Sequence, residues 1–428
     1  MEMAGNIKSG ASGMDRILFY GVCALFFFLP VSISPLGIVE GLLLFTWIIS
    51  GRFMKDAGLV LQKWGWPVLI MMVLPWIGLL YSGDKVTGFE FAKRTDYWLF
   101  SFIVAGVVIS VSDAGAFFKA FIAGVTFTSL AFLGQLAGIV YRPGNDPYVF
   151  FNHGHFDVYR NSIEEPYGFF GNHSHIELSL LTTFSIMLLS FYFAESGKMR
   201  HKALCAGLML VQFVSLALIR TDSGQAAFIL LSPVIGYNLL GRKKLKLAFA
   251  ISLMLVGALF LSPVVQGRIR QASGETAAYN NGQVATDFGL HYFMWRGAAK
   301  IFMAHPAIGT GTGGYSYFMN KDRQAGLPRF SQPQNTFLYM AASYGIFGIL
   351  AIIYLWAVPL RVGWNKRRTV YGFAMLVFMA ILTVGSITDT QVMSHQSGML
   401  LAMFYGIVLA AGKKEPVTRQ LNEYQQAA

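Results

Sequence analysis

Two short stretches repeat one arrangement of side chains: "FFNHGHFD" at 150–157 and "GFFGNHSHIE" at 168–177. Each reads Asn-His-x-His-apolar-acid, giving Asn152, His153, His155 and Asp157, then Asn172, His173, His175 and Glu177. Imidazole and carboxylate are ordinary zinc ligands. On a strand the two rings of a His-x-His pair share a face. On a helix they point about 200° apart, and Glu177 shares the face of His173. The second copy opens a long apolar run, which makes it helical. Its His173, His175 and Glu177 then line the outer cavity. For His153 and His155 a hydrogen-bonded loop ranks ahead of a metal.

Cations accompany these groups. Lys93 and Arg94 stand in "FAKRTDYW", Arg220, Asp222 and Gln225 in "IRTDSGQ", and Arg268, Arg270 and Arg296 further on. Such a set suits an anionic ligand of the phosphate or diphosphate class. Arg220 and the others have a plainer reading too, as side chains snorkelling to headgroups of membrane lipid. Asp389 and His395 punctuate the polar stretch "TDTQVMSHQ" between two apolar runs.

The composition says what positions them. Of 428 residues, 55% are hydrophobic and 13% charged, with mean hydropathy +0.52. A soluble domain carries about a quarter charged residues. The apolar runs are continuous rather than alternating, which excludes a β-barrel. They predict an all-α polytopic membrane protein. Twelve transmembrane helices are expected near 17–33, 35–50, 66–82, 97–111, 116–140, 175–193, 203–219, 225–240, 245–261, 336–358, 370–387 and 397–411. The first, with Arg16 before it, has the form of a signal peptide. Eleven further spans make cleavage unnecessary, and it is counted as a span.

The net charge of +12 is clustered after even-numbered spans, at Arg52 and Lys55, Lys198 to Lys202, Arg242 to Lys246, Arg361 to Arg368, and Lys413 and Lys414. That is a topology signal, and it argues against nucleic acid as a partner. It puts both termini in the cytoplasm. The expected layout is a cytoplasmic segment 1–16, spans over 17–261 with an outer loop at 141–174, a large outer loop at 262–335, spans over 336–411, and a tail at 412–428. Cys23 and Cys205 fall in or beside spans, placed for neither disulfide nor metal. Within the large loop, 292–304 has the period of an amphipathic helix. Phe293, Ala298, Ile301 and Phe302 lie on one side, with Arg296 and Lys300 four apart. "GTGTGGY" follows a helix rather than a strand, so it reads as a tight turn and not as a nucleotide loop.

The stretch "GLHYFMWRGAAKIFMAHPAIGTGTGGYSYF" resembles the O-antigen ligase and polymerase superfamily, where an aromatic helix leads into Pro-x-x-Gly-x-Gly. "QNTFLYMAASYGIFG" is similar to that family's signature, with Asn335, Gly345 and Gly348 matching. The resemblance implies a helical membrane glycosyltransferase. Its donor is a glycan on undecaprenyl diphosphate at the outer leaflet. Its acceptor is lipid A-core in a ligase, or a lipid-linked glycan in a polymerase. It implies inversion at the anomeric carbon, no cofactor and no metal. Such a reaction needs a base at the acceptor hydroxyl and cations at the leaving diphosphate. Three positions depart from the family pattern: the signature His is Gln334, the arginine of Thr-x-Ser-Arg is Gly224, and His291 stands where an Arg usually precedes the helix Trp. The catalytic candidates are therefore Gln334, His291, His175, Glu177 and His395. The substrate-binding candidates are Arg220, Lys93, Arg94, Arg296, Arg268, Asn335, Asp222 and Asp389. Two other classes stay open: a polyisoprenoid-glycan or solute transporter, which broken helices and repeated halves would mark, and a metal-binding membrane protein built on the histidine pairs.

Overall fold

A computed structural model describes residues 13–62, 64–108, 111–137, 167–168, 171–172, 175–219, 221–241, 244–280, 286–321 and 328–412. Asn152, His153, His155, Asp157, His173 and Arg220 lie outside the described residues.

Among the described residues, helix or 3-10 turn makes up most of each of the twelve apolar segments. The chain begins with α1 (Gly13–Phe28), α2 (Ile33–Ile49) and a short α3 (Arg52–Asp56), then α4 (Trp66–Leu80) and α5 (Lys85–Lys93). A 3-10 turn at Arg94–Leu99 leads into α6 (Phe100–Val107), followed by the long α7 (Val111–Leu136). The two-residue strands β1 (Tyr167–Gly168) and β2 (Gly171–Asn172) pair antiparallel, Tyr167 opposite Asn172. Next come α8 (His175–Glu195), α9 (Met199–Leu218), α10 (Ser223–Leu240), α11 (Leu245–Phe260) and α12 (Pro263–Asn280). The last group is α13 (Asp287–Ala304), α14 (Gly314–Lys321), α15 (Thr336–Asn365), α16 (Val370–Thr388) and α17 (His395–Gly412).

Among the described residues, seven of these helices are long and apolar enough to cross a membrane: α7 from Asp113, α8, α9, α10, α15, α16 and α17. The α11–α12 pair bends by 73° and makes an eighth if it is one broken span. The other expected spans are shorter. α4 has 15 residues, about 22 Å at 1.5 Å per residue, against a hydrocarbon core of about 30 Å. The segment near 97–111 is divided between the 3-10 turn and the eight residues of α6.

Burial sorts the helices. From Glu177 to Ser190 every residue of α8 is buried, and from Gln396 to Ala410 every residue of α17. A helix apolar all round belongs inside, and these two form the centre. Phe184 of α8, Phe378 of α16 and Phe404 of α17 meet there, the last two stacked at 4.9 Å. By contrast α2 leaves Ile38, Leu42, Phe45 and Ile49 exposed in one stripe, the pattern of a helix bordering lipid.

The glycine turn is a clasp. After α13 ends at Ala304, the loop through 306–313 runs back against α15, which is not continuous. Gly345 has φ 60°, ψ −141°, so α15 is two helices meeting at a break. There Thr310 N donates to Ala342 O at 3.0 Å, Gly311 N to Ser343 O at 2.8 Å, and Ile346 N to Pro306 O at 2.9 Å. The broken helix thus regains its missing partners from the loop. Thr312 Oγ1 ties the same loop to Pro75 O at 2.7 Å and meets Tyr344 Oη at 2.8 Å. Gly311 also has positive φ (83°).

Candidate functional site

Most of the polar residues singled out in the sequence sit at one end of the bundle. Its frame is the start of α15, the end of α16 and the start of α17. Asn335 caps α15: its Oδ1 accepts from Leu338 N at 3.0 Å, and its Nδ2 donates to Ile387 O at 2.9 Å. Both ends of that side chain are committed to holding α15 against α16. Thr336 Oγ1 donates to Asp389 O at 3.3 Å, and the Ser223 and Thr388 hydroxyls meet at 2.5 Å. The start of α10 is thereby fixed to the same corner.

Into this corner α8 projects Glu177, buried at 8% exposure. The Ser394 hydroxyl donates to Glu177 Oε1, and Asp389 and Arg94 are its charged neighbours. Asp389 Oδ1 accepts from Thr390 N at 2.7 Å, and Oδ2 from Gln391 Nε2 at 3.4 Å. Burial pushes its carboxyl above the ordinary range, while the Thr390 amide and nearby His291 pull it back. His291 reaches this point because α13 packs along α15, burying Met294, Ala298 and Ile301 and leaving Arg296 and Lys300 exposed. His395, the first residue of α17, faces Glu40 of α2, with Nε2 2.9 Å from Oε1. Its other charged neighbours are Asp96 and Arg94. His175, half-buried, is the first residue of α8, two positions before Glu177.

The cations separate. Arg94 is exposed, lies over the Phe91 ring at 5.7 Å, and is the cation close to both Glu177 and His395. Lys93 pairs with Glu90 at 2.6 Å in the open. Arg268 grips Asp222 with Nε at 3.2 Å and Nη2 at 2.5 Å, and Gln271 with Nη1 at 3.1 Å. That forked pair joins α12 to the N-terminus of α10. Gln334, half-buried just ahead of the Asn335 cap, has φ 49°, a left-handed conformation rare for a side chain other than glycine.

Glu40 and Asp96 were not among the candidates read from the sequence. The signal for Glu40 was present: it is a lone acid inside the apolar run "ISPLGIVEGLLLF", and an ionisable residue in a span is costly enough to call for a function. Among the described residues no group of three or more His, Cys, Asp or Glu is arranged to hold a metal ion.

No curated protein matches the chain. A family model described as O-antigen ligase matches residues 207–353, from within α9 to just past the break in α15. That segment contains the α10 corner, the amphipathic α13, the glycine clasp and the Gln334–Asn335 cap. Over residues 207–353 this multi-pass membrane chain is therefore similar to the O-antigen ligase family.

Proposed function

We propose that the chain is a glycosyltransferase of a bacterial inner membrane. It moves a glycan from undecaprenyl diphosphate to a sugar hydroxyl, with the polar corner facing the periplasm. The observation that carries this reading is the convergence of Arg94, Glu177, Asp389, His291 and His395 beside the Gln334–Asn335 cap. A cation for a leaving diphosphate and groups able to handle a hydroxyl proton are the two things inverting transfer requires. Arg94 is the donor-binding cation, since Arg268 is already held by Asp222. An apolar groove of about 590 Å³ between α4 and α15, lined by Leu74, Ile77, Phe347 and Leu350, suits a prenyl chain. The reaction needs no metal. Extension of a lipid-linked glycan is favoured over transfer to lipid A-core, because Gln334 replaces the His of the family signature.

The break in α15 also bears on transport, because discontinuous helices are a mark of transporters. Here, however, the clasp loop satisfies the backbone groups at the break, so they are not left to hold an ion or solute.

The test is donor binding and transfer by the purified chain with a synthetic polyprenyl-diphosphate-linked glycan. A charge-assisted phosphate contact contributes roughly 1.5–3 kcal/mol, so Arg94→Ala should weaken donor binding about tenfold or more. Arg94→Lys should recover part, since a point charge lacks the planar fork. Unchanged affinity in Arg94→Ala would remove this assignment. Glycan analysis of a deletion strain separates the acceptors: shortened chains mean polymerase, and accumulated lipid-linked polymer means ligase.

A further inference from the structure

We propose that Glu40 and His395 form a carboxylate–imidazole dyad in which His395 takes the proton of the attacking sugar hydroxyl and Glu40 is its positioning residue. The proposal rests on the glycosyl-transfer reading above and supplies the proton acceptor that Gln334 cannot be.

The geometry is that of an oriented base. Glu40 Oε1 lies 2.9 Å from His395 Nε2, and the side chains are 16% and 35% exposed. The acid end is sheltered and the ring is reachable. An ionised carboxylate only accepts, so in the neutral imidazole Nε2 carries the hydrogen and Nδ1 keeps its lone pair. The ring has little freedom to leave that orientation. Tyr97 packs edge-on against it at 6.3 Å and 87°, and the Tyr97 hydroxyl donates to Val392 O. The preceding residue, Ser394, is fixed by its hydroxyl on Glu177 and by Gly398 N donating to Ser394 O at 2.9 Å. The charged groups around the ring are Glu40 from α2 and Arg94 and Asp96 from the 3-10 turn.

A tether between α2 and α17 would not need these residues. Glu40 is the one charged residue of α2, and well-packed hydrophobic side chains usually join helices at lower cost than a sheltered ionisable pair. What the pair adds is an oriented imidazole with Arg94 among its charged neighbours. In the transfer, the acceptor oxygen bonds to the anomeric carbon. The bond from that carbon to the diphosphate oxygen breaks, and its electron pair leaves on the diphosphate facing Arg94. The hydroxyl proton passes to His395 Nδ1 and from there to water.

The experiment is steady-state transfer by the full chain in vesicles containing a synthetic polyprenyl-diphosphate-linked glycan, with thermal stability followed in parallel. His395→Ala should lower kcat by roughly 10²–10⁴-fold with little change in KM. His395→Gln, which can still meet Glu40 but takes no proton, should fall with it. Glu40→Gln should also lower kcat, and Glu40→Asp should recover part of the loss. In the His395→Ala background Glu40→Gln should cost nothing more, because it acts only through the ring. Wild-type kcat in His395→Gln, or an equal cost of Glu40→Gln in both backgrounds, would overturn the dyad while leaving glycosyl transfer in place. A wild-type chain that transfers nothing would overturn both.

Discussion

At position 224 this chain has glycine, where the pattern it resembles has an arginine. Packing gives a reason. A Cβ there would stand 2.6 Å from the Ser179 carbonyl carbon, and Thr183 Oγ1 donates to Gly224 O at 3.0 Å, so α10 and α8 touch at this point. Gly224→Arg, which introduces the arginine of that pattern, should prevent correct folding rather than add a cation. Yield and monodispersity in detergent would show it, and a stable, active variant would mean that the two helices can part. Asp389 makes a separate prediction. Burial holds its folded-state pKa above the unfolded value, so the folded protein binds the proton more tightly. The stabilisation from that proton is complete below about pH 4 and is lost as pH rises through the raised value. Asp389→Asn should flatten the decline in melting temperature from pH 4 upward, and an unchanged pH profile would count against it. His395, Glu177 and Asp389 were legible from the sequence because each is a polar residue at the edge of an apolar run. Which groups they face was not: Glu40, for one, lies 355 residues from His395 along the chain.

Among the elements, α15 carries most of what the sequence could and could not tell. Its start was legible, because Asn is a strong N-cap. The role that the resemblance implied for Asn335, substrate binding, competes with what both ends of its amide do in the fold. Asn335→Ala removes a cap and leaves Ile387 O without its donor, so it should cost about 2 kcal/mol of stability. Asn335→Asp keeps the cap and loses only the donor, and should cost about half as much. Denaturation in detergent would measure both. An activity loss without a stability loss would return Asn335 to the substrate. The amphipathic helix expected at 292–304 corresponds to α13, with its end at Ala304 where His305-Pro306 stops it. The break in α15 was not legible. A glycine in an apolar run has no visible φ, and the loop that fills the gap comes from more than thirty residues earlier.

For the whole molecule, the charge clusters predict which ends of the helices share a side of the membrane. Cysteine labelling of intact cells, after replacement of Cys23 and Cys205, should reach Asn280→Cys and miss Met199→Cys. Labelling at Met199→Cys would reverse the orientation and turn the polar corner toward the cytoplasm. The helical, membrane-embedded character was legible because apolar content and continuity decide it without reference to contacts. The number of crossing helices was less so. Composition marks an apolar run but does not say whether it stays straight, as the 3-10 turn before α6 and the 73° bend after α11 show.

The clasp has a consequence for how this sequence can change. At Gly345 a Cβ would lie 2.5 Å from the carbonyl oxygens of Pro306 and Ala307, and at Gly311 it would run into Gly78 O. Both positions also hold φ angles that L side chains rarely adopt. Each admits one letter of the amino-acid alphabet, and neither constraint can be lifted by changing the other, because the obstacle in each case is main chain. A library randomised at both positions should return only the parental pair among folded members. The variety tolerated by the protein must therefore be written elsewhere, in side chains facing lipid and in those around the polar corner.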